Sequence, residues 1–299
     1  MKVAVCIPSF NEKDNIQRIT KIIDSGLSKL EGVIKVIVNC DNNSQDGTND
    51  LFNKTQTMHQ KVSLVDSRIG KGVNLLNFFN YCLLNDIDYA MTFDSDLTSI
   101  ESTWIEKYYN FLKMGYDFII PKYKRSYQEG NTTNHFIGPV LYRTYGVFIR
   151  QPIGGDYGFS KKFIKIILEK NFYQNILMYG IDIFMVVTAI RNNLRMVEVE
   201  LGVKKHKLSL SRMENIFESV LRGFSEVYKQ YPVYEKINKE KIVYDCYKYD
   251  NHKLKECETV KHKYEYYSKI NKLDSYESTL NCWRNLLRIY INNISSPSE

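Results

Sequence analysis

No Cys-x-x-Cys pair occurs in this 299-residue chain, although it holds six cysteines: Cys6, Cys40, Cys82, Cys246, Cys257 and Cys282. Cys6, Cys40 and Cys82 lie within apolar runs, where a thiol serves as a small hydrophobe. Long apolar runs are missing too. A stretch such as IDIFMVV (residues 181–187) falls far short of the ~20 residues that span a bilayer. Met1-Lys2 leads straight into a strand pattern, so no signal peptide is expected. These absences predict a cytoplasmic protein with reduced thiols, in which the sequon at Asn131 carries no meaning. Strong charge is lacking as well. A formal net charge of +7 suits an anionic small substrate or a membrane surface as well as nucleic acid, and singles out none of them. The motifs below favour small molecules and no nucleic acid. There is no internal repeat, no Walker loop and no EF-hand: in CDNNSQDGT (Cys40 to Thr48) the sixth position from Asp41 is Asp46 rather than Gly, and no Glu closes the loop.

What is present is ample material for a core: 43% of the residues are hydrophobic and 25% charged, an ordinary balance for a globular protein. The first half alternates strand and helix signals. Val3–Pro8, Val33–Cys40, Val62–Asp66, Asp88–Asp94 and Asp117–Pro121 read as strands. Asn11 is placed to cap a helix carrying Ile16, Ile19, Ile23, Leu27 and Leu30 along one face, a further helix follows Gly72, and Trp104, Tyr108, Phe111 and Leu112 mark another. Such alternation predicts an α/β fold with a mostly parallel sheet covered on both faces. Residues 130–158 are rich in Gly and aromatics without a clear period. Helices follow at 161–170 and 180–193, and a strand at 196–201. Ser211 and Glu214 form a capping box for an amphipathic helix ending near Tyr231. After Pro232 a Lys/Tyr/Asn-rich helical extension is expected, suited to peripheral membrane contact or to a homodimer.

Ligands of such sheets bind beyond the carboxyl ends of the strands, where Asp41, Asp66 and Asp94 fall. Asp94-Ser95-Asp96 follows a buried strand. Two carboxylates at that spacing converge on a hard cation that in turn bridges phosphate oxygens. Asp94-Ser95-Asp96-Leu97-Thr98 also fits a DxDxT phosphatase loop. Arg68-Ile69-Gly70-Lys71-Gly72 sets a lysine and backbone N–H groups at a helix start, which suits phosphate. Gly154-Gly155-Asp156 permits close backbone approach to a ligand. His206 stands just beyond a strand and completes a metal site if it reaches Asp96.

Taken in order, IPSFNE, DNNSQDGT, GKG, FDSDL, QPIGGDYGFS, YGIDI and LGVKKH resemble a GT-A glycosyltransferase. They are family-2-like in the first half and similar to glycosyltransferase family 81 in the second, the glucosyl-3-phosphoglycerate synthases and their mannosylglycerate-forming relatives. The resemblance implies a GT-A fold over residues 1–231, divided into a nucleotide-sugar half (1–128) and an acceptor and metal half (129–231), with residues 232–299 outside it. It implies UDP-sugar binding by Pro8, Asn11, Glu12, Asp41, Lys71, Asp94, Ser95, Gly154, Gly155 and Tyr157. A Mg²⁺ or Mn²⁺ ion would sit at Asp96 and His206, Asp156 and Asp182 would lie at the sugar, and Gly130 and Thr133 would meet the acceptor. It further implies hexosyl transfer, with UDP-glucose as donor, to a small anionic acceptor such as 3-phosphoglycerate or glycerate, with retention. Two acceptor-side residues depart from that family: Asn131 replaces its arginine and Leu208 its asparagine, so charge would come from Arg125, Arg143 or Lys207 instead. The alternatives are an inverting family-2-type enzyme, including one acting on polyprenyl phosphate, and a phosphatase.

Overall fold

The computed structural model describes residues 1–124, 130, 132–205 and 213–231. His206, Ser211 and the whole 232–299 extension lie outside the described residues, as do the side chains of Arg143 and Glu214. Seven strands form one sheet: β1 (Lys2–Ser9), β2 (Ile34–Asp41), β3 (Gln60–Val65), β4 (Tyr89–Thr92), β5 (Phe118–Lys124), β6 (Tyr157–Ser160) and β7 (Met196–Val203). Their order is β3-β2-β1-β4-β6-β5-β7. All pair in parallel except β6, which runs antiparallel between β4 and β5.

Period-two alternation in the strands feeds two cores. Val3, Val5 and Ile7 of β1 face α1 (Lys13–Ser28) and α4 (Ser102–Lys113), while Ala4 and Cys6 face α3 (Lys71–Leu84), α6 (Lys161–Leu168), α7 (Ile181–Arg191) and α8 (Met213–Gln230). The α1 stripe of Ile16, Ile19, Ile23 and Leu27 is fully buried. Each such side chain contributes about 1.5–3 kcal/mol on leaving water. Gly26 lets α1 lie close to α4, since a Cβ there would stand 2.7 Å from the Ser102 carbonyl. α7 is buried along nearly its whole length. Among the described residues no helix is long and apolar enough to cross a membrane.

Three features depart from the sequence expectation. The first turn of α1 is not capped by Asn11. Its N-cap is Glu12, without a side-chain capping bond. Asn11 instead adopts φ 53° and ties two loops together, its N–H donating to Ser44 Oγ and its Oδ1 accepting from Gln45 N. Second, α2 (Thr48–Lys54) follows β2, its last carbonyls held by the Lys61 ammonium. Third, the aperiodic stretch 130–158 contains a π-helical turn (Thr133–Ile137), α5 (Gly138–Tyr145) and the start of β6. With only four residues, all buried, β6 has no alternation to betray it. It is held by an aromatic stack in which Phe118 lies 5.4 Å from Tyr157 and 4.8 Å from Phe163.

Candidate active site

The strand polarity brings the charged residues to one edge. β1, β2 and β4 end there, β7 ends there at Val203, and β6, being antiparallel, begins there. Thr92 therefore pairs with Tyr157, and Asp156 comes to lie beside the turn that carries Asp94. Asp156 is 0% exposed. Its Oδ1 accepts from Asp94 N at 2.8 Å, and its Oδ2 accepts from Tyr123 Oη at 2.6 Å and Lys204 Nζ at 2.9 Å. Every strong acceptor direction is occupied, so Asp156 is placed to hold its neighbours.

Two lysines share Asp94. Lys71, the first residue of α3, donates to Asp94 Oδ1 at 2.7 Å and to the Gly155 carbonyl at 3.2 Å, and stands 3.7 Å from Asp182 Oδ1. Burial alone would lower the pKa of its ammonium, but the charges of Asp182 and Asp94 outweigh burial and raise it. Lys204, just past β7, donates to the Gly154 carbonyl at 2.7 Å and lies 3.5 Å from Asp94 Oδ2. The loop threaded between them has no room for side chains. Gly155 has φ +93°, and a Cβ there would fall 2.1 Å from Asp94 Oδ2.

Asp96 and Asp182 line the cleft and are less well matched. Burial, reinforced by the charge of Asp94, pushes Asp96 up to about 6, and no described residue donates a hydrogen bond to it. Asp182, in the first turn of α7 and 8% exposed, is likewise raised to about 6 by burial, partly offset by Lys71. Its Oδ1 is buried without a hydrogen-bond partner. Among the described residues the carboxylates of Glu12, Asp94, Asp96, Asp156 and Asp182 outnumber the ammoniums of Lys71 and Lys204, so the site carries a net negative charge when all are ionised. Such an excess suits a bound cation. Among the described residues no three His, Cys, Asp or Glu side chains converge as a metal cage. Asp96 is the carboxylate that fits a hard cation, the others being engaged by lysine.

The cleft holds about 330 Å³. Pro8, Ser9, Glu12, Asn42 and Ser95 are among its lining residues, along with an exposed Phe10. Asp41 lies behind this wall, buried, accepting from Ser9 Oγ at 2.8 Å and from Ser44 N and Oγ at 2.7 Å each. Asn42 occupies the wall in its place, and Asn74 Nδ2 donates to Asn42 Oδ1 at 3.0 Å. Asp66 is held by Arg68, then by Asn77, far below the usual carboxylate range. Gly154 and Gly155 line the cleft. Tyr157 belongs to the aromatic core, its hydroxyl donating to the Pro152 carbonyl. Asn11, Gly130 and Thr133 are not among the lining residues, and Gly130 accepts from Asn134 N at the start of the π-helical turn. The polar lining residues the sequence did not single out include Lys204, Asn42 and Asn74. Lys204 hides in the doublet Lys204-Lys205, which reads as a solvated strand end.

The segment after Asp96 is laced to the residues preceding His206. Thr98 N and Oγ1 donate to the Lys205 carbonyl at 2.8 and 3.0 Å, and Lys205 N donates to Ser99 Oγ at 2.9 Å. Arg18 donates to the Leu97 carbonyl from the other side. A DxDxT phosphatase loop follows the first strand of its fold; Asp94 follows β4, the strand that pairs with β1 opposite β2, and both its oxygens face lysines.

Solved structures share this fold. Glucosyl-3-phosphoglycerate synthase from Mycobacterium tuberculosis, in complex with Mn²⁺, UDP and glucosyl-3-phosphoglycerate, superposes with a TM-score of 0.61 at 21% identity, over 76% of this chain and 79% of that one. The same enzyme with Mn²⁺, UDP-glucose and phosphoglyceric acid gives 0.61 at 21% identity, again over 76% and 79%. With Mg²⁺ and UDP it gives 0.58 at 20% identity over the same shares. No curated protein matches the chain. The family model described as Glycosyl transferase family 2 matches residues 4–172, more than half of the chain. The chain belongs to glycosyl transferase family 2, and it is a glycosyltransferase.

Proposed function

We propose that the enzyme transfers a hexosyl group from a nucleotide sugar, UDP-glucose in the first instance, to the hydroxyl of a small anionic acceptor such as 3-phosphoglycerate or glycerate, with Mg²⁺ or Mn²⁺ held by Asp96 and His206. The lacing of Thr98 and Ser99 to Lys205 carries this reading, because it fixes the chain immediately before His206 to the turn that carries Asp96. The excess of carboxylates over ammoniums in the cleft supports it, as do the UDP-glucose, metal ions and phosphoglyceric acid named for the structural neighbours.

When bound, the cation supplies charge neutralisation for the departing diphosphate. The chain supplies the rest. Residues 1–128 form the donor half, where Pro8, Glu12, Asn42 and Ser95 frame the nucleotide. Lys71, held between Asp94 and Asp182, presents a fixed positive charge to the diphosphate. Asp182, on the cleft wall and paired with Lys71, would accept a hydrogen bond from a sugar or acceptor hydroxyl. In a retaining reaction the anomeric C–O bond to the diphosphate breaks, the acceptor oxygen bonds to that carbon on the same face, and its proton passes to the leaving phosphate. No enzymic base is then needed. In the inverting alternative the base would be Asp182, raised to about 6. A second reading has its own support: Ile153, Met178, Ile216 and Val220 line the far side of the cleft and suit an acceptor with an apolar portion, such as a polyprenyl phosphate.

The test is a screen of UDP- and GDP-sugars with Mn²⁺, with 3-phosphoglycerate, glycerate and a polyprenyl phosphate as acceptors, followed by the product anomer. Metal-dependent release of UDP, lost in Asp96→Ala, is expected. Near-normal turnover by that variant would remove the proposed metal role, and turnover of GDP-sugars alone would overturn the donor assignment.

A further inference from the structure

We infer that Lys204 is a positioning residue for sugar transfer, its buried ammonium holding the Asp94-Ser95-Asp96 turn and the Gly154-Gly155 loop in the geometry that admits the cation and the diphosphate; the inference rests on the function proposed above.

Lys204 is 5% exposed, although Val203 before it and Lys205 after it are exposed. Gly202, at φ +82°, turns the chain at the end of β7 just before it enters the cleft wall. Removing an ammonium from water costs several kcal/mol unless its partners are well placed. Here they are. Nζ reaches the Gly154 carbonyl at 2.7 Å, Asp156 Oδ2 at 2.9 Å and Asp94 Oδ2 at 3.5 Å, and it stands 5.1 Å from the centre of the Tyr123 ring.

The consequence falls on residue 94. Lys71 holds one oxygen of its carboxylate and Lys204 faces the other, while its N–H donates to Asp156, which Lys204 also holds. The side chain and the main chain of Asp94 are thus fixed by one network, and Asp96, two residues along, is left facing the cleft. The same ammonium seats the Gly154 carbonyl, so the glycine loop cannot slide over Asp94. Lys205, its neighbour in the chain, is bonded through its backbone to Thr98 and Ser99. A cation at this point therefore joins the β4 turn, the β6 loop and the end of β7, two residues before His206. Stability alone would be served as well by an apolar side chain at 204 with a neutral partner at 156. That difference separates a positioning role from a merely structural one.

The experiment compares the unsubstituted chain with K204M, K204R and D156N/K204M. Melting is measured first, then Mn²⁺ binding in the presence of UDP by electron paramagnetic resonance, and finally kcat and KM. D156N/K204M removes both charges of the buried pair and is expected to fold cooperatively. Groups that orient a metal ligand typically contribute about 10–100-fold in metal affinity or activity. K204M and the double variant should therefore bind Mn²⁺ at least about tenfold more weakly and lose at least about tenfold in kcat, with KM for the nucleotide sugar shifted far less. K204R keeps the charge and should recover part of the Mn²⁺ affinity. A folded double variant with Mn²⁺ affinity and kcat close to those of the unsubstituted chain would overturn the inference. Should neither methionine variant fold, K204R decides: Mn²⁺ affinity and kcat indistinguishable from the unsubstituted chain would overturn an account that depends on three specific contacts. Failure of the unsubstituted chain to bind Mn²⁺ with UDP would instead overturn the functional reading, and this inference with it.

Discussion

Replacing Asp156 by asparagine removes one charge and almost no volume, at the best-connected point of the site. The introduced amide can still accept from Asp94 N through the oxygen that takes the place of Oδ1. At the other position an NH₂ would face two donors, the Lys204 ammonium and the Tyr123 hydroxyl, now 2.9 and 2.6 Å from Oδ2. The hydroxyl can turn and accept; the ammonium cannot. Hydrogen bonds to charged groups contribute about 1.5–3 kcal/mol each, and breaking a buried ion pair by removing one partner costs about 3–5 kcal/mol. With Asp156 at 0% exposure and Lys204 at 5%, solvent offers no relief, so the full range applies. At roughly 2–4 °C per kcal/mol for larger domains, the melting temperature should fall by about 10 °C. Urea unfolding followed by circular dichroism measures the free energy directly. A loss below about 1 kcal/mol would show that the pair is not buried and connected as described, and the case for Lys204 would weaken with it.

Gly155→Ala is expected to cost about 1–3 kcal/mol from its positive φ alone, and to push Asp94 aside because the new Cβ would lie 2.1 Å from Oδ2. A displacement of that kind should lower kcat by about 100-fold, and steady-state kinetics on the folded variant would check it. Asp182 predicts a pH effect. Its folded-state pKa of about 6 lies above the ordinary 3.8, so the folded protein holds the extra proton between those values and this carboxylate lowers stability as pH rises through that window. Roughly two pH units correspond to about 3 kcal/mol. Asp182→Asn should therefore gain stability relative to the unsubstituted chain by about that amount between pH 4 and pH 7, as read from urea midpoints at both pH values. No relative gain would contradict the burial of an ionised carboxylate at that position.

The first half of the fold was legible because its signals are redundant. β1 is an apolar run, α1 repeats Ile16, Ile19, Ile23 and Leu27 at helical spacing, and Asp94-Ser95-Asp96 stands directly after an apolar strand. What the sequence hides is which strands share an edge. Nothing in Tyr157–Ser160 says that it inserts antiparallel between β4 and β5, yet that insertion brings Asp156 beneath Asp94 and turns a loop acid into a buried anchor. The same blindness affects Lys204, whose burial depends on the glycine loop closing over it. Asp41 and Asn42 are adjacent at a strand end, and the family resemblance points to the acid as the ligand. The packing of Ser9 and Ser44 against Asp41 assigns the cleft wall to the amide. The resemblance places Tyr157 with the glycine loop at the donor, but pleating directs its ring into the core.

The central proposal is that a nucleoside diphosphate and a divalent cation enter this carboxylate-rich cleft together. Differential scanning of the melting temperature with UDP, with Mn²⁺ and with both, on the unsubstituted chain and on Asp96→Ala, tests it most directly. A shift with both ligands larger than the sum of the two separate shifts, and absent from the variant, is the predicted result. Additive shifts, or an equal response from Asp96→Ala, would contradict it.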